Sequence, residues 1–229
     1  MKAIVLAAGR GERLRPITDT TPKPLVPVGG KPLIAYHLKA LAQAGVRDVV
    51  INLSWLADRI RAELGDGARY GVRITYSDEG PVAMETGGGI FNALPSLGPG
   101  AFLVVNGDVW SDIDLPALIA AAAADARSGA LARLVLVPNP PQHPRGDFGL
   151  DGEHVTADGT TRFTYSGVGV YQPELFAGCA PGRFPMLPLF LKAIGERRLL
   201  GQVHRGEWWD VGTPERLAAL DARLRGGIQ

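Results

Sequence analysis

Residues 1–32 read "MKAIVLAAGRGERLRPITDTTPKPLVPVGGKP", in which a short apolar run ends in a loop that carries Gly9 and Gly11. An apolar strand followed directly by glycines is typical of α/β proteins, where such loops bind ligands at the edge of the sheet. Four further runs, "DVVIN", "VRITYS", "AFLVVN" and "ARLVLV", alternate with segments of helical period. This alternation predicts an α/β fold, a Rossmann-like three-layer sandwich with a mixed, mostly parallel central sheet.

The composition excludes several classes of partner. Apolar residues make up 46% of the 229-residue chain, and the formal net charge of +1 provides no global field for nucleic acid or an anionic membrane. No apolar stretch approaches the roughly 18–20 residues of a transmembrane helix, and the N-terminus lacks the features of a signal peptide. The single cysteine, Cys179, cannot form an internal disulfide. We therefore expect a cytoplasmic protein that binds neither nucleic acid nor membrane, with an undetermined oligomeric state.

The pattern changes at residues 138–144, "PNPPQHP", which are too rich in proline for regular structure. Strand-like pieces such as "TTRFTYSGVGVYQ" and "GQVHRGEWWDVG" follow, and no low-complexity linker separates the two parts. We expect one domain over residues 1–229. It would have a first lobe of about residues 1–138 and a smaller, partly antiparallel lobe of about residues 139–229 laid against it, with no C-terminal β-helix.

Two familiar nucleotide-binding motifs are absent from the opening loop. A dinucleotide fingerprint needs a third glycine where this chain has Leu14, and the acidic residue expected about 20 positions later is missing. The Gly-x4-Gly-Lys-Ser/Thr loop of ATPases occurs nowhere in the chain. A dinucleotide-dependent oxidoreductase is therefore disfavoured.

The opening loop is nevertheless locally cationic. Arg10, Arg13 and Arg15 accompany the glycines, and Lys23 lies between two prolines. Glycine lets backbone N–H groups approach an anion, guanidinium groups bind phosphate oxygens in pairs, and the prolines restrict the backbone around the lysine. These features predict a phosphate-binding loop, and a solvated basic loop without a role is the alternative.

Residues 6–34, "LAAGRGERLRPITDTTPKPLVPVGGKPLI", resemble the signature of the sugar-1-phosphate nucleotidylyltransferases, Leu-Ala-Ala-Gly-x-Gly-x-Arg-Leu-x-Pro-x-Thr followed by Pro-Lys-Pro-Leu. The resemblance implies the nucleotide-diphospho-sugar transferase type of fold. It implies an enzyme that condenses a nucleoside triphosphate with a sugar 1-phosphate to give an NDP-sugar and pyrophosphate. Arg13 would hold the departing phosphates, and Lys23 would lie near the reacting phosphates. The other implied nucleotide contacts are Leu6, Ala7, Ala8, Gly9 and Gly11.

Such chemistry brings two polyanions together and so needs a divalent cation. Mg²⁺ is usually held by one or two carboxylates together with substrate phosphates. "NGDVW" and "WWDVGTPE" resemble the two metal-carboxylate motifs of the family, so we expect Asp108 and Asp210 to bind Mg²⁺ as cofactor. Without metal, the two carboxylates would repel each other. With Arg13 and Lys23 they form the predicted catalytic set; the alternative for Asp108 is a turn or helix-start residue.

A second glycine-rich stretch, "EGPVAMETGGGIFNALP", places Gly87, Gly88 and Gly89 before a predicted helix. It resembles the Gly-Thr-Ala-Gly element of the wider family in altered form. Its Glu-Thr-Gly-Gly-Gly is closer to the bacterial N-acetylmuramate α-1-phosphate uridylyltransferases, compact enzymes of cell-wall recycling. The resemblance implies that Gly87 contacts the nucleotide, and a flexible loop leading to a helix is the alternative.

The sugar site departs from the family pattern, because "ADGTTRFTYSG" stands where the wider family carries Glu-Lys-Pro. His143 and Arg145 are candidates for binding a carboxylate on the sugar, although "PRGD" is also an ordinary surface turn. Phe148 and Gly149 would be equally ordinary as core or turn residues. The predicted sugar-phosphate contacts are Lys23, Glu85, Asn106, Arg145, Phe148, Gly149, Ser166 and Gly167.

The resemblance implies uridylyl transfer from UTP to N-acetylmuramate α-1-phosphate in peptidoglycan recycling, with the nucleotide bound by the first lobe and the sugar phosphate by the second. The enzymatic alternatives are GTP with mannose 1-phosphate or a heptose 1-phosphate, and UTP or dTTP with glucose 1-phosphate. A nucleotide-binding regulatory protein is the non-enzymatic alternative. Because the attacking phosphate oxygen is already an anion, in-line attack on the α-phosphorus needs no general base.

Overall fold

The structure, a computed structural model, describes residues 1–226. The strands in that range are β1 (Lys2–Leu6), β2 (Pro27–Val28), β3 (Lys31–Pro32), β4 (Asp48–Leu53), β5 (Arg73–Asp78), β6 (Phe102–Asn106), β7 (Val109–Ser111), β8 (Ala132–Val137), β9 (Phe148–Asp151), β10 (His154–Thr156), β11 (Arg162–Tyr171), β12 (Leu199–Val203) and β13 (Trp208–Asp210). The helices are α1 (Ile17–Thr20), α2 (Leu33–Gln43), α3 (Ala57–Leu64), α4 (Glu85–Leu97), α5 (Leu115–Asp125), α6 (Leu187–Gly195) and α7 (Pro214–Gly226). None of these helices combines the length and the apolar character needed to cross a membrane.

Nine of the strands form one sheet, in the order β5-β4-β1-β6-β11-β8-β12-β10-β9. Strands β5, β4, β1 and β6 are parallel neighbours. Strand β11 runs antiparallel between β6 and β8, β12 is parallel to β8, and β10 and β9 add an antiparallel edge. This mixed, mostly parallel sheet confirms the predicted fold class.

Side chains of the central strands alternate between two apolar layers, one on each face of the sheet. In β1, Ala3 and Val5 pack with residues of α2, α3 and α5, whereas Ile4 packs with residues of α4 and α6. The predicted apolar stripe of α2, which includes Ile34 and Leu38, is fully buried in the first layer. Helices therefore cover both faces of the sheet and complete the three-layer sandwich.

Strands from both predicted lobes join the same sheet. We expected the segment after residue 138 to lie as a smaller region against the first, but its strands β9 to β12 extend the sheet instead. The reason is β11, a ten-residue strand that bonds to β6 on one side and to β8 on the other. One continuous sheet thus carries elements of both parts.

The order of the sheet reverses at β1, which has β4 on one side and β6 on the other. Open α/β sheets bind ligands at the carboxyl ends of the strands near such a point. The two strands end at Leu6 and Asn106, which are paired in register, and the next residue, Gly107, donates its N–H to the Leu6 carbonyl at 2.9 Å. The opening glycine loop and the segment with Asp108 therefore leave the sheet side by side.

The last helix supports this edge of the molecule. Helix α7 packs on the β2–β3 pair through a small buried cluster of Val28, Leu33, Val211 and Leu220. Asp221 on the same helix accepts a 2.8 Å hydrogen bond from the Gly29 N–H. Because Val211 directly follows β13, this packing fixes the segment that carries the second predicted metal carboxylate.

Candidate active site

The opening loop forms one wall of a cleft of about 210 Å³, which we call the loop cleft. At Gly9 no atom lies within 4 Å of the position that a Cβ would occupy, so a ligand can approach the backbone closely. Residues 6–9 and Lys23 form one side, and the rest of the wall includes Asn52, Glu79, Glu85, Thr86, Asn106, Gly107 and Asp108.

Gly11 allows the opening loop to pack closely over Lys23. Its φ of 68° lies in the left-handed region, and a Cβ there would be 3.0 Å from the Thr18 side chain and 3.2 Å from Lys23 Cβ. The Thr18 hydroxyl donates a 2.8 Å hydrogen bond to the Gly11 carbonyl. A glycine is therefore needed for the loop to fold this closely over the lysine.

Two buried polar residues that the sequence reasoning missed hold the loop cleft together. The Ala7 N–H donates to Asn52 Oδ1 at 2.7 Å, and Asn52 Nδ2 donates to Glu79 Oε1 at 2.6 Å. Glu79 Oε2 in turn accepts from the Met84 N–H at 2.6 Å. A polar residue at the end of each apolar run, in "DVVIN" and just after "VRITYS", was the available signal.

The three glycines of the second glycine-rich stretch lie inside α4, which begins at Glu85, and not before a helix as predicted. Each faces a close neighbour. A Cβ on Gly87 would lie 2.6 Å from the Phe184 ring, and one on Gly89 would overlap Glu79 Oε1. Packing therefore outweighs the low helix propensity of glycine, and Gly87 is buried against Phe184 without lining the loop cleft.

The fold brings the two predicted metal carboxylates together. Asp210 pairs with Val109 across the antiparallel β7–β13 ribbon, and the Val211 N–H donates to the Asp108 carbonyl at 2.9 Å. Both carboxylates line a second cleft of about 250 Å³, which we call the ribbon cleft. Asp108 and Asn106 line both clefts, so this carboxylate stands at their junction.

Each carboxylate has a cationic neighbour. Lys23 Nζ, on a buried side chain, lies 2.7 Å from Asp108 Oδ2, and Arg216 Nη2 lies 3.1 Å from Asp210 Oδ2. The expectation that the pair would be strained by mutual repulsion is therefore wrong, because a positive charge offsets each negative one.

The donor set fits a hard divalent cation. Among residues 1–226 no group of three or more His, Cys, Asp or Glu side chains is arranged to hold a metal. Two carboxylates facing a common cleft are nonetheless a typical protein contribution to a Mg²⁺ site, in which substrate phosphates and water complete the coordination. Asp108 and Asp210 would provide the oxygen ligands.

Residues from distant parts of the chain line the rest of the ribbon cleft. Gly167 has a φ of 79°, and a Cβ there would lie 2.6 Å from Asn106 Nδ2, so only glycine fits against that amide. Trp208 Nε1 donates to the Ser166 carbonyl at 2.9 Å and ties this wall to the ribbon. Of the three loop arginines named above, Arg13 lines this cleft.

The other two loop arginines are exposed and contact other residues at the surface. The Arg10 guanidinium stacks over the Trp55 ring at 4.4 Å, and Arg15 pairs with Asp19 at 2.7 Å. The cationic character of the loop therefore reaches the ribbon cleft mainly through Arg13.

A histidine and an aspartate form one side of the ribbon cleft. His143 Nε2 lies 2.9 Å from Asp147 Oδ1, and Asp147 Oδ2 accepts from the Tyr165 N–H at 2.8 Å. Asp147 thus fixes the orientation of the imidazole ring. The sequence reasoning named His143 but missed Asp147, whose only signal is its place after a proline-rich turn.

Five predicted sugar contacts lie away from the ribbon cleft. Arg145 is exposed on the turn. Phe148 is buried in the core with its ring edge-to-face with Phe190, and Gly149 lies under Thr156, which leaves no room for a Cβ. Both begin β9 in the buried sheet, so sheet packing explains them. The other two, Lys23 and Glu85, line the loop cleft, where Glu85 pairs with Arg183.

His37 lies behind the Asp108 segment and is buried. Burial lowers its pKa to about 4, although the nearby Asp108 carboxylate acts in the opposite direction. The ring is therefore neutral near pH 7, and the charges at the junction of the two clefts come from the carboxylates, Lys23 and the arginines.

Comparison with known proteins agrees with this arrangement. The chain matches the family model described as Nucleotidyl transferase over residues 2–156. It is 50% identical over 226 residues to the N-acetylmuramate alpha-1-phosphate uridylyltransferase of Neisseria meningitidis serogroup B, with 97% of each chain covered. It is 38% identical to the enzyme of the same name from Caulobacter vibrioides, with 97% of this chain and 96% of the relative covered.

A solved structure supports the fold independently. A Bacillus anthracis protein in complex with a sucrose superposes with a TM-score of 0.87 at 23% identity, over 98% of this chain and 95% of that one. The sequence matches confirm the resemblance carried by the opening segment and the predicted class of enzyme. The chain belongs to the nucleotidyl transferase family, among the sugar-1-phosphate nucleotidylyltransferases.

Proposed function

We propose that this chain transfers a uridylyl group from UTP to N-acetylmuramate α-1-phosphate and releases pyrophosphate. The observation that carries the proposal is the meeting of Lys23, Asp108 and Asp210 at the junction of two clefts. One cleft has a glycine loop open to close approach, and the other is lined by polar side chains. The names of the two relatives, which align over nearly their whole length, support the choice of base and sugar.

In this proposal the nucleotide occupies the loop cleft and the sugar phosphate enters from the ribbon cleft. The sugar-phosphate oxygen attacks the α-phosphorus in line, and the bond to the bridging oxygen of pyrophosphate breaks. Lys23 neutralises charge on the reacting phosphates, and Arg13 steadies the departing pyrophosphate. Asp108 and Asp210 would hold Mg²⁺, whose contribution is to neutralise charge on the phosphates.

Selection of an acidic sugar is proposed to involve His143. Asp147 holds one ring nitrogen at 2.9 Å, so the other nitrogen has a fixed direction in which to meet a polar group of the substrate. N-acetylmuramate differs from neutral sugars by a lactyl carboxylate, which is a suitable partner for the protonated imidazolium, because both ring nitrogens of that form donate. Use of this substrate would give the enzyme a role in peptidoglycan recycling, in the cytoplasm where nucleoside triphosphates are available.

The test is a grid of UTP, GTP, dTTP and ATP against N-acetylmuramate α-1-phosphate, mannose 1-phosphate, a heptose 1-phosphate and glucose 1-phosphate, scored by pyrophosphate release. We expect the highest kcat/KM for UTP with N-acetylmuramate α-1-phosphate. A higher value for another pair would reassign the substrates within the family.

The same assay tests the metal. Removal of divalent cations with EDTA is expected to stop pyrophosphate release, and added Mg²⁺ is expected to restore it. Activity that survives exhaustive chelation would refute the metal role while leaving the substrate assignment intact.

A further inference from the structure

Arg216, near the start of α7, lies beside Asp210 and has no part in the reaction described so far. Its Nη2 is 3.1 Å from Asp210 Oδ2, and both side chains are mostly covered. The Nε and Nη2 atoms of Arg216 are buried, and neither donates a well-aligned hydrogen bond to any residue in the described part of the chain. Buried donors without partners cost stability, so packing alone does not explain this guanidinium.

Gly212, which lies between the two residues in sequence, leaves room for the contact between Arg216 and Asp210. The position that a Cβ would take on Gly212 overlaps Arg216 Nη2 and lies 2.9 Å from Asp210 Oδ1 and 3.2 Å from Arg13 Nη2. Any larger residue would push the guanidinium away from the carboxylate. Oδ2 meets Arg216, whereas Oδ1 and the Nη2 of Arg13, which lines the ribbon cleft, both lie close to Gly212.

We propose that Arg216 is a positioning residue that holds the Asp210 carboxylate through Oδ2 and so orients Oδ1 toward a divalent cation. The inference rests on the metal role proposed above for Asp210. The packing of α7 on the β2–β3 pair keeps Arg216 in place, because Val211 and Leu220 belong to the same buried cluster.

Two physical effects of Arg216 have opposite signs, which makes the proposal testable. Carboxylates that bind metals are themselves held by neighbouring groups, and loss of such a group typically lowers metal affinity about 10- to 100-fold. Coulomb repulsion alone predicts the reverse, since removing a cation next to the site would tighten the binding of a second cation. The direction of the change therefore separates positioning from simple charge.

The experiment measures binding of Mn²⁺ alone to the full chain, from the electron paramagnetic resonance signal of free Mn²⁺. We expect Arg216→Met to weaken Mn²⁺ binding about tenfold or more and Arg216→Lys to recover part of the loss. The matched control is Arg225→Met on the same helix, which removes an exposed pair with Asp221 and leaves the affinity unchanged. The Mg²⁺ concentration for half-maximal turnover is expected to rise in parallel.

A fourth variant separates failure of this inference from failure of the proposed metal site. If Asp210→Asn weakens Mn²⁺ binding while Arg216→Met leaves it unchanged or tighter, the positioning role is overturned and the metal role stands. If Asp210→Asn has no effect, the metal role itself fails, and the inference fails with it. Should Arg216→Met not fold by circular dichroism, Arg216→Lys decides: wild-type Mn²⁺ affinity together with reduced kcat would overturn the proposal.

Discussion

The two clefts that meet at Asp108 are built in different ways. One wall of the loop cleft is the backbone of a contiguous segment, residues 6–9, with Asn52 hydrogen-bonded to it. The ribbon cleft uses side chains from segments far apart in the chain, such as Arg13 and Asp210. A wall made of backbone atoms suits ligand groups that all substrates share, whereas a wall of side chains can distinguish one sugar from another. The backbone wall of the loop cleft can be predicted from local residue spacing, but the side-chain wall of the ribbon cleft depends on the fold.

The largest effect is expected where the clefts join. Asp108→Asn keeps the shape of the side chain and leaves Lys23 an oxygen acceptor, so the protein should remain folded. Loss of the charge should lower kcat by about 100-fold or more with every substrate pair, because this carboxylate serves both clefts. Pyrophosphate release measures kcat, and thermal unfolding checks the fold.

Asp112→Asn is the matched control for that variant. Asp112 follows the same ribbon strand and pairs with His204 at 2.7 Å, and it lies outside both clefts. The kcat of Asp112→Asn should stay near that of the wild type. A wild-type rate in Asp108→Asn would remove the junction carboxylate from the mechanism and leave the two clefts unconnected.

An intermediate effect is expected from the support behind the loop cleft. Gly89→Ala would place a methyl group on Glu79 and 2.9 Å from Asn52 Nδ2, which would disturb the pair that holds the Ala7 N–H. Overpacking of this kind costs about 1–3 kcal/mol of folding free energy. We expect the KM for the nucleoside triphosphate to rise about tenfold, equivalent to about 1.4 kcal/mol, while the KM for the sugar phosphate changes little.

The control for this change is Gly195→Ala at the end of α6, where no atom lies within 4 Å of the added Cβ. That variant should bind both substrates normally and be at least as stable as the wild type. Equal changes in the KM values of both substrates in Gly89→Ala would show that the two clefts do not respond separately, and the comparison between them would fail.

Sequence reasoning found residues whose role depends on local backbone shape and missed residues whose role depends on contacts far away in the chain. The opening loop was predicted because glycine spacing and the Pro-Lys-Pro segment determine a local backbone shape. Asn52 and Asp147 were missed because their roles arise from hydrogen bonds to residues far away in the chain. Phe148 was assigned to the sugar, although a strand of the buried sheet requires an aromatic residue there for packing.

The position of the second glycine-rich stretch was misjudged for a related reason. Gly87 and Gly89 have low helix propensity, which predicts a loop, but contacts with Phe184 and Glu79 hold them inside α4. Tertiary contacts outweighed a local preference, and a single sequence does not display those contacts. The mixed sheet, by contrast, was predictable because the apolar runs that form it are local and periodic.

The smallest effect is expected in the wall of the ribbon cleft. His143→Ala removes a ring that Asp147 orients, and loss of one hydrogen bond to the substrate costs about 0.5–1.5 kcal/mol. The KM for N-acetylmuramate α-1-phosphate should therefore rise about fivefold, equivalent to about 1 kcal/mol. The KM for UTP should not change, because this residue does not line the loop cleft.

Arg145→Ala on the same turn tests the rival assignment. Arg145 is exposed and lies outside both clefts, so its removal should leave both KM values unchanged. The assay with glucose 1-phosphate, which has no carboxylate, adds a second control, because His143→Ala should then have no effect on KM. If Arg145→Ala raised the KM for the acidic sugar and His143→Ala did not, carboxylate binding would belong to the exposed Arg145 and not to His143 in the wall of the ribbon cleft.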